Sequence, residues 1–484
     1  MTKTIAICAS IILFAASAEI LQAQTEVAQP GTKQSGIATE QANRFLSGTD
    51  QNARQQRAKE NVEKALAVLI PGGIVAGTPR QKKFAAVIDS FAKGQAPDAM
   101  DALKKMSAED TNLPPADVLL AGLSFAVGDN KSGLALLESS AIKHPNYPGV
   151  YLSFAQIAIN TNRITDASLH AEKTARLIES GNLSPERKSH FLKQYYEVAT
   201  SIFLRRKQNK KAGEMLEQLQ AISPNMPFYF FSKAQVSFRG GNNDAALQFL
   251  KQHATATESK RLPELTLTEW LRNAGQAGQA QDLLLKTRQQ NPQDATTQMM
   301  AAQMFMAKED FPNALMAVKS FEEINGETNQ SLDMKGRISF AGQSYAVAAG
   351  HFRNLNMKAP KDASSANILA LCLIESDDPE QRKLAMQISE GVTRSMTGNP
   401  LAVASLAYIY LKNGEAEKSK QLMQRVAMSR QATPEISYFL ANWLIETGQA
   451  DQAANILKQA LNTKGLFLYR SASRKLLTSL GKNQ

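Results

Sequence analysis

The sequence predicts an all-α solenoid of helix-turn-helix repeats. Three observations carry that prediction: a constant 34-residue step through much of the chain, small residues at two fixed slots of the step, and glycine and proline where helices must stop.

The 484 residues, 43% hydrophobic and 20% charged, exceed what one compact core spans, so several cores or one elongated array is expected. The chain opens Met1-Thr2-Lys3, followed by an uncharged apolar run, Thr4 to Ala16, and then small residues. That order of charged, apolar and small regions reads as a secretory signal peptide, residues 1–23, cleaved after Ala23 with Ala18 as the alternative. The run falls short of the roughly 20 residues a spanning helix needs, so no transmembrane helix is expected in the mature chain. Export, periplasmic or secreted, follows. Cys8 leaves with the signal, so Cys372 stands alone and no intrachain disulfide forms. Flanked by Leu371 and Leu373, Cys372 is read as a small buried apolar residue. The net charge of +11 favours acidic partners, and loss of Lys3 with Glu19 leaves it unchanged. Nucleic acid is demoted by export.

Residues 24–48 are rich in Gln, Thr, Ser, Gly and Ala and read as a flexible linker. Residues 49–79 then form a capping helix and turn: Thr49 or Asp50 starts a helix with Val62, Leu66 and Leu69 on one face, ended by Pro71-Gly72-Gly73. From residue 80 to 465 the repeats start at 80, 114, 148, 193, 227, 261, 295, 329, 363, 400 and 434. Slot twenty is Ala99, Gly133, Ala167, Ala212, Ala246, Ala280, Ala314, Ala348, Ala385, Ser419 and Ala453, and slot eight is nearly as small. Small residues there let paired helices approach. Slot fifteen holds Gly94, Gly128, Gly241, Gly275, Gly414 and Gly448, where the chain must reverse through positive φ. Slot twenty-four carries a large knob such as Leu216, Leu250 or Phe352, and Pro145, Pro224, Pro292 and Pro360 end the second helix. The step from 148 to 193 is longer, and Gly181 to Glu186 is expected to insert a loop there. Residues 466–484 read as the C-terminal capping helix.

These slots resemble those of the tetratricopeptide repeat family over roughly residues 80–465. The family has small residues at positions eight, twenty and twenty-seven and proline at thirty-two. Position eleven departs here, aromatic only in Phe203, Phe305 and Tyr410, and position four lacks tryptophan. The resemblance implies a right-handed superhelical solenoid of about eleven repeats with terminal capping helices.

No catalytic residue, cofactor or metal site is predicted. The five histidines, His144, His170, His190, His253 and His351, lack metal-ligand spacing, and no phosphate loop or nucleophile elbow is present. No nucleophile, base and oxyanion donors form a constellation, so the chain is read as non-enzymatic. The resemblance places positions five, nine and twelve of each first helix on a concave face. Those candidates are Phe231, Gln235 and Phe238; Leu265, Glu269 and Arg272; Met299, Gln303 and Met306; Asp333, Arg337 and Phe340; Tyr438, Asn442 and Ile445. A stripe apolar at its edges and hydrogen-bonding at its centre suits a peptide or docked helix, with packing between repeats as the competing role. The methionines, Met299 and Met306 included, are read first as core. An anionic-ligand candidate is the run Arg205, Arg206, Lys207, Lys210 and Lys211. The expected function is an exported envelope or periplasmic scaffold for a protein partner. The alternative is a module for an acidic polymer, like the repeat regions of polysaccharide-export proteins.

Overall fold

The computed structural model describes residues 49–75, 77–429, 432–463 and 465–481. The signal peptide and linker expected over residues 1–48 lie outside them, as do residues 482–484. Among the described residues every regular element is a helix, and contacts divide the chain into two units meeting at Leu267 and Thr268.

In the first unit α1 (Thr49–Leu69) precedes five helix pairs: α2 (Pro79–Ala92) with α3 (Ala96–Glu109), α4 (Ala116–Ala126) with α5 (Asn130–Lys143), α6 (Pro148–Asn160) with α7 (Ile164–Ser180), α8 (Pro185–Arg205) with α9 (Asn209–Ile222), and α10 (Pro227–Arg239) with α11 (Asn243–Thr257). The cut falls inside α12 (Pro263–Asn273), which is followed by α13 (Ala277–Gln290). The second unit continues with α14 (Ala295–Ala307) and α15 (Phe311–Asn325), α16 (Asn329–Ala341) and α17 (Tyr345–Lys358), α18 (Ala363–Ile374) and α19 (Pro379–Ser395), α20 (Pro400–Lys412) and α21 (Ala416–Met428), and α22 (Pro434–Glu446) and α23 (Ala450–Leu461). A final helix, α24, spans Arg470–Ser479. In the five pairs from α2 to α11 and the five from α14 to α23 each first helix packs on its own second helix, and most second helices pack on the next first helix. That arrangement is the all-α tetratricopeptide-type solenoid.

Local chemistry explains the boundaries. Side chains of Thr78, Ser184, Asp294, Thr328, Asp362, Asn399 and Thr433 each accept a first-turn backbone N–H, and proline occupies the first turn of α2, α6, α8, α10, α20 and α22. Pro145, Pro224, Pro292 and Pro360 follow the ends of α5, α9, α13 and α17. Slot fifteen is left-handed in ten repeats. Besides the six glycines at φ between 78° and 84°, Asn162, Lys207, Glu309 and Gln343 adopt φ of 58°, 58°, 60° and 63° there. The slot-twenty residues are buried throughout, Ala99, Ala212, Ala246 and Ala453 completely.

The longer step after residue 148 differs from expectation. Its extra length goes into helices: α7 has 17 residues and α8 has 21, against 14 and 13 in α9 and α10. The connection from Gly181 to Ser184 is as short as the one from Ser223 to Met226. Ser184 caps and Pro185 opens α8, so Ser-Pro-Glu is a helix start, not loop.

α1 lies against first helices, whereas α24 packs on α23 and the residues leading into it meet first helices. Val62, Leu66 and Ile70 share one core with Phe84, Leu119 and Leu123, from α2 and α4. Gly122, at slot nine of α4, faces Leu69 so closely that an added Cβ would stand 2.2 Å from its Cδ1. Farther along, Gln194 Nε2 on α8 donates to the Val68 carbonyl at 3.0 Å. In the second unit the segment from Gly465 to α24 packs on α14, α16, α20 and α22, as the site geometry details.

Candidate functional site

In the first unit Phe231, Gln235 and Phe238 occupy one stripe of α10, all half-buried. Phe231 meets the His253 ring of α11 with centroids 5.1 Å apart, and the His253 Nδ1 lies 3.0 Å from the Pro227 carbonyl. That distance suits an Nδ1 proton donated to the carbonyl, which fixes the orientation of the ring. Arg205, Arg206, Lys207, Lys210 and Lys211 are all exposed around the turn between α8 and α9. Arg205 Nη1 reaches Asn162 Oδ1 at 3.4 Å, and Lys211 Nζ sits 5.7 Å from the Phe203 ring centre. The basic run is a solvated cation cluster at the foot of α8.

On α12, Leu265 is buried, Glu269 half-buried and Arg272 exposed.

In the second unit the candidates divide sharply. Gln303 is exposed, whereas Met299 and Met306 are buried. Asp333 and Arg337 are one turn apart and pair through Oδ2 and Nε at 2.7 Å, so each satisfies the other. Phe340 and Tyr438 are buried, and Asn442 Nδ2 donates to the Tyr438 carbonyl at 2.8 Å. What covers them is the chain itself. Tyr469 stacks on Tyr438 at 4.3 Å and 17°, and meets Phe340 edge-on at 5.0 Å and Phe439 edge-on at 5.2 Å. Phe467 and Leu468 are also buried, and this stretch borders Met306 and Ala341. The Leu468 N–H donates to Glu435 Oε1 at 3.3 Å.

Residues outside the candidate set complete this cluster. Tyr408 donates to Glu375 Oε1 at 2.6 Å, and Lys412 pairs with the other carboxylate oxygen at 3.1 Å. Burial raises the Tyr408 and Tyr469 hydroxyls well above the usual phenol range, with nearby phenols and Glu375 adding to the effect. Both therefore stay protonated donors. Tyr408 stands at slot nine of the repeat beginning at 400, so applying the concave-slot rule to every repeat would have found it.

Among the described residues no group of three His, Cys, Asp or Glu side chains is placed to hold a metal ion, and no helix is long and apolar enough to cross a membrane. Cys372 is buried, and burial pushes its thiol far above the usual range.

No protein-family model and no curated protein matches the chain. Among solved structures it is similar to a tetratricopeptide repeat protein from Parabacteroides merdae, at 15% identity and a TM-score of 0.42, covering 53% of this chain and 98% of the other. It is also similar to a tetratricopeptide repeat protein of Thermus thermophilus, at 16% identity and a TM-score of 0.32, covering 39% and 98%. Yeast Tom70 is similar at 11% identity and a TM-score of 0.34, covering 84% and 96%.

Proposed function

We propose that this chain, a tetratricopeptide repeat protein by its own period and helix pairing, is an exported, non-catalytic scaffold of the cell envelope or periplasm that binds a protein or peptide on its first-helix face. The observation that carries this reading is the α10 stripe, where Phe231 and Phe238 stand half-buried around Gln235. Two aromatic anchors with a hydrogen-bonding side chain between them match a helix or extended segment laid along the face. Export rests on the first 23 residues.

The second reading, an acidic polymer, is favoured by one feature, the five exposed cations from Arg205 to Lys211. Salt separates the two. Surface charges are screened over about 8 Å at physiological ionic strength, so polymer binding should collapse with added salt and with neutralisation of the run. A partner held by apolar contact should instead lose about 2 kcal/mol or more per aromatic anchor. The test captures partners from the native envelope fraction with the wild-type chain, with Phe231→Ala/Phe238→Ala, and with the five cations changed to Gln. Loss of the partner with the aromatic pair is expected. Indifference to that pair, with collapse in salt, would replace the protein reading by the polymer one.

A further inference from the structure

We propose that residues 465–481 are an internal ligand, held on the first-helix face of the second unit in place of a partner segment that offers an aromatic anchor followed by a basic helix. This deepens the scaffold reading and rests on it.

The segment is bound the way a docked peptide is bound. Tyr469 fills a cradle of Phe340, Tyr408, Tyr438 and Phe439, with Phe467 and Leu468 buried beside it, while the helix behind it buries only Ser473 and Leu477. Anchors of that kind carry most of the affinity of peptide interfaces. The fit is incomplete. The fully buried Tyr469 hydroxyl has no hydrogen-bond partner among the described residues, although Tyr408 and the Glu375 carboxylate belong to the same cluster. A different occupant could satisfy that polar floor better.

A second observation is independent of the cradle. Glu309 and Gln343 are the two non-glycine residues of the second unit at left-handed slot fifteen, a conformation that Gly275, Gly414 and Gly448 take in other repeats of that unit. Their side chains hold the segment. Arg474 Nη1 donates to both carboxylate oxygens of Glu309 at 2.7 and 2.8 Å, Gln343 Nε2 donates to Ser471 Oγ at 3.0 Å, and Lys475 donates to Gln343 Oε1. Backbone strain kept at two turns that both grip one helix marks those turns as a recognition rim. The rim reads a hydroxyl and two basic side chains within the two turns beyond the anchor, which defines the partner's chemistry.

The test uses the full chain and a fluorescein-labelled synthetic peptide of residues 465–481. Wild type should bind the peptide weakly because its own segment competes. Phe467→Ala/Tyr469→Ala, with helicity retained, should bind it at least about tenfold more tightly, since the competent fraction sets apparent affinity. The same peptide with alanine in place of Tyr469 should not bind, and Tyr469→Phe in the chain should stay closed. A folded alanine variant that binds no better than wild type would overturn the proposal. Should that variant fail to fold, amide exchange in wild type decides: α24 is expected to exchange at least about tenfold faster than α20 and α22, and equal protection would make it a permanent cap. A wild-type dimer that dissociates as the segment is released would overturn it in favour of exchange between copies. None of these outcomes touches α10, so the scaffold reading is decided separately by the Phe231 and Phe238 variants.

Discussion

Gly336 and Phe352 show how one slot compensates another. The repeats starting at 114, 227 and 434 place alanine at slot eight and leucine at slot twenty-four; this one places glycine against phenylalanine. A Cβ on Gly336 would stand 2.6 Å from Phe352 Cε2, closer than any relaxed contact, and Phe352 is completely buried with nowhere to retreat. Gly336→Ala should therefore cost about 1–3 kcal/mol through overpacking. Phe352→Leu alone should lose packing as well. The double change rebuilds the pair used elsewhere, so its cost should fall well below the sum of the two, a coupling of contacting residues that denaturant titration of all four proteins would read. Additive costs would show that the two side chains do not share one site. Gly133 stands in the same relation to Phe125, 2.7 Å from a built Cβ.

At the scale of one element, α8 concentrates the buried ionisable groups of the first unit. The Gln194 amide has two donors and serves both the Val68 carbonyl and His190 Nε2, each at 3.0 Å, which requires that nitrogen to be unprotonated. Burial, with Lys193 nearby, lowers His190 to about 4. Seven residues on, burial raises Glu197 to about 7, and its buried Oε1 has no hydrogen-bond partner among the described residues. The two groups act oppositely on stability. Between its folded value and the ordinary 6.5, His190 is protonated only in the unfolded chain, so stability falls as pH drops from 6.5 toward 4. Between the ordinary 4.5 and 7, Glu197 keeps a proton only in the folded chain, so stability falls as pH rises. Where the windows overlap, the slopes offset one another. Glu197→Gln should expose the histidine slope, with urea midpoints falling on acidification from pH 6.5 to 4.5, and His190→Gln should expose the reverse. Variant curves parallel to wild type would show that neither group titrates abnormally.

At the scale of the whole chain, protein from its native compartment should have lost about 18–23 residues by mass, as a signal peptide implies. An intact Met1 in the cytoplasm would end the exported reading. The period was legible because its causes are local: a helix pair of fixed length needs small residues at the crossing and a reversal at one position, and both are written at slots eight, fifteen and twenty. Where the terminal helices lie was not legible. The spacing of Leu476, Leu477 and Leu480 gives α24 an apolar face, but spacing names no surface for that face to meet, and nothing links Tyr469 to Tyr438 along the chain. The candidate slots on α14, α16 and α22 were identified as facing inward, while their occupancy by residues 465–481 depends on the folded chain.

The position of α1 changes how the first unit should come apart. In an open repeat array each unit touches only its neighbours, so melting starts at an end and propagates like a zipper. Here α1 shares a core with α2 and α4, and Gln194 on α8 is tied to its last turn. The end of the row is thereby clasped to a member three pairs along. Peeling off the first pair breaks contacts elsewhere at once, which replaces stepwise fraying by a shared threshold and lets four pairs behave as one cooperative block.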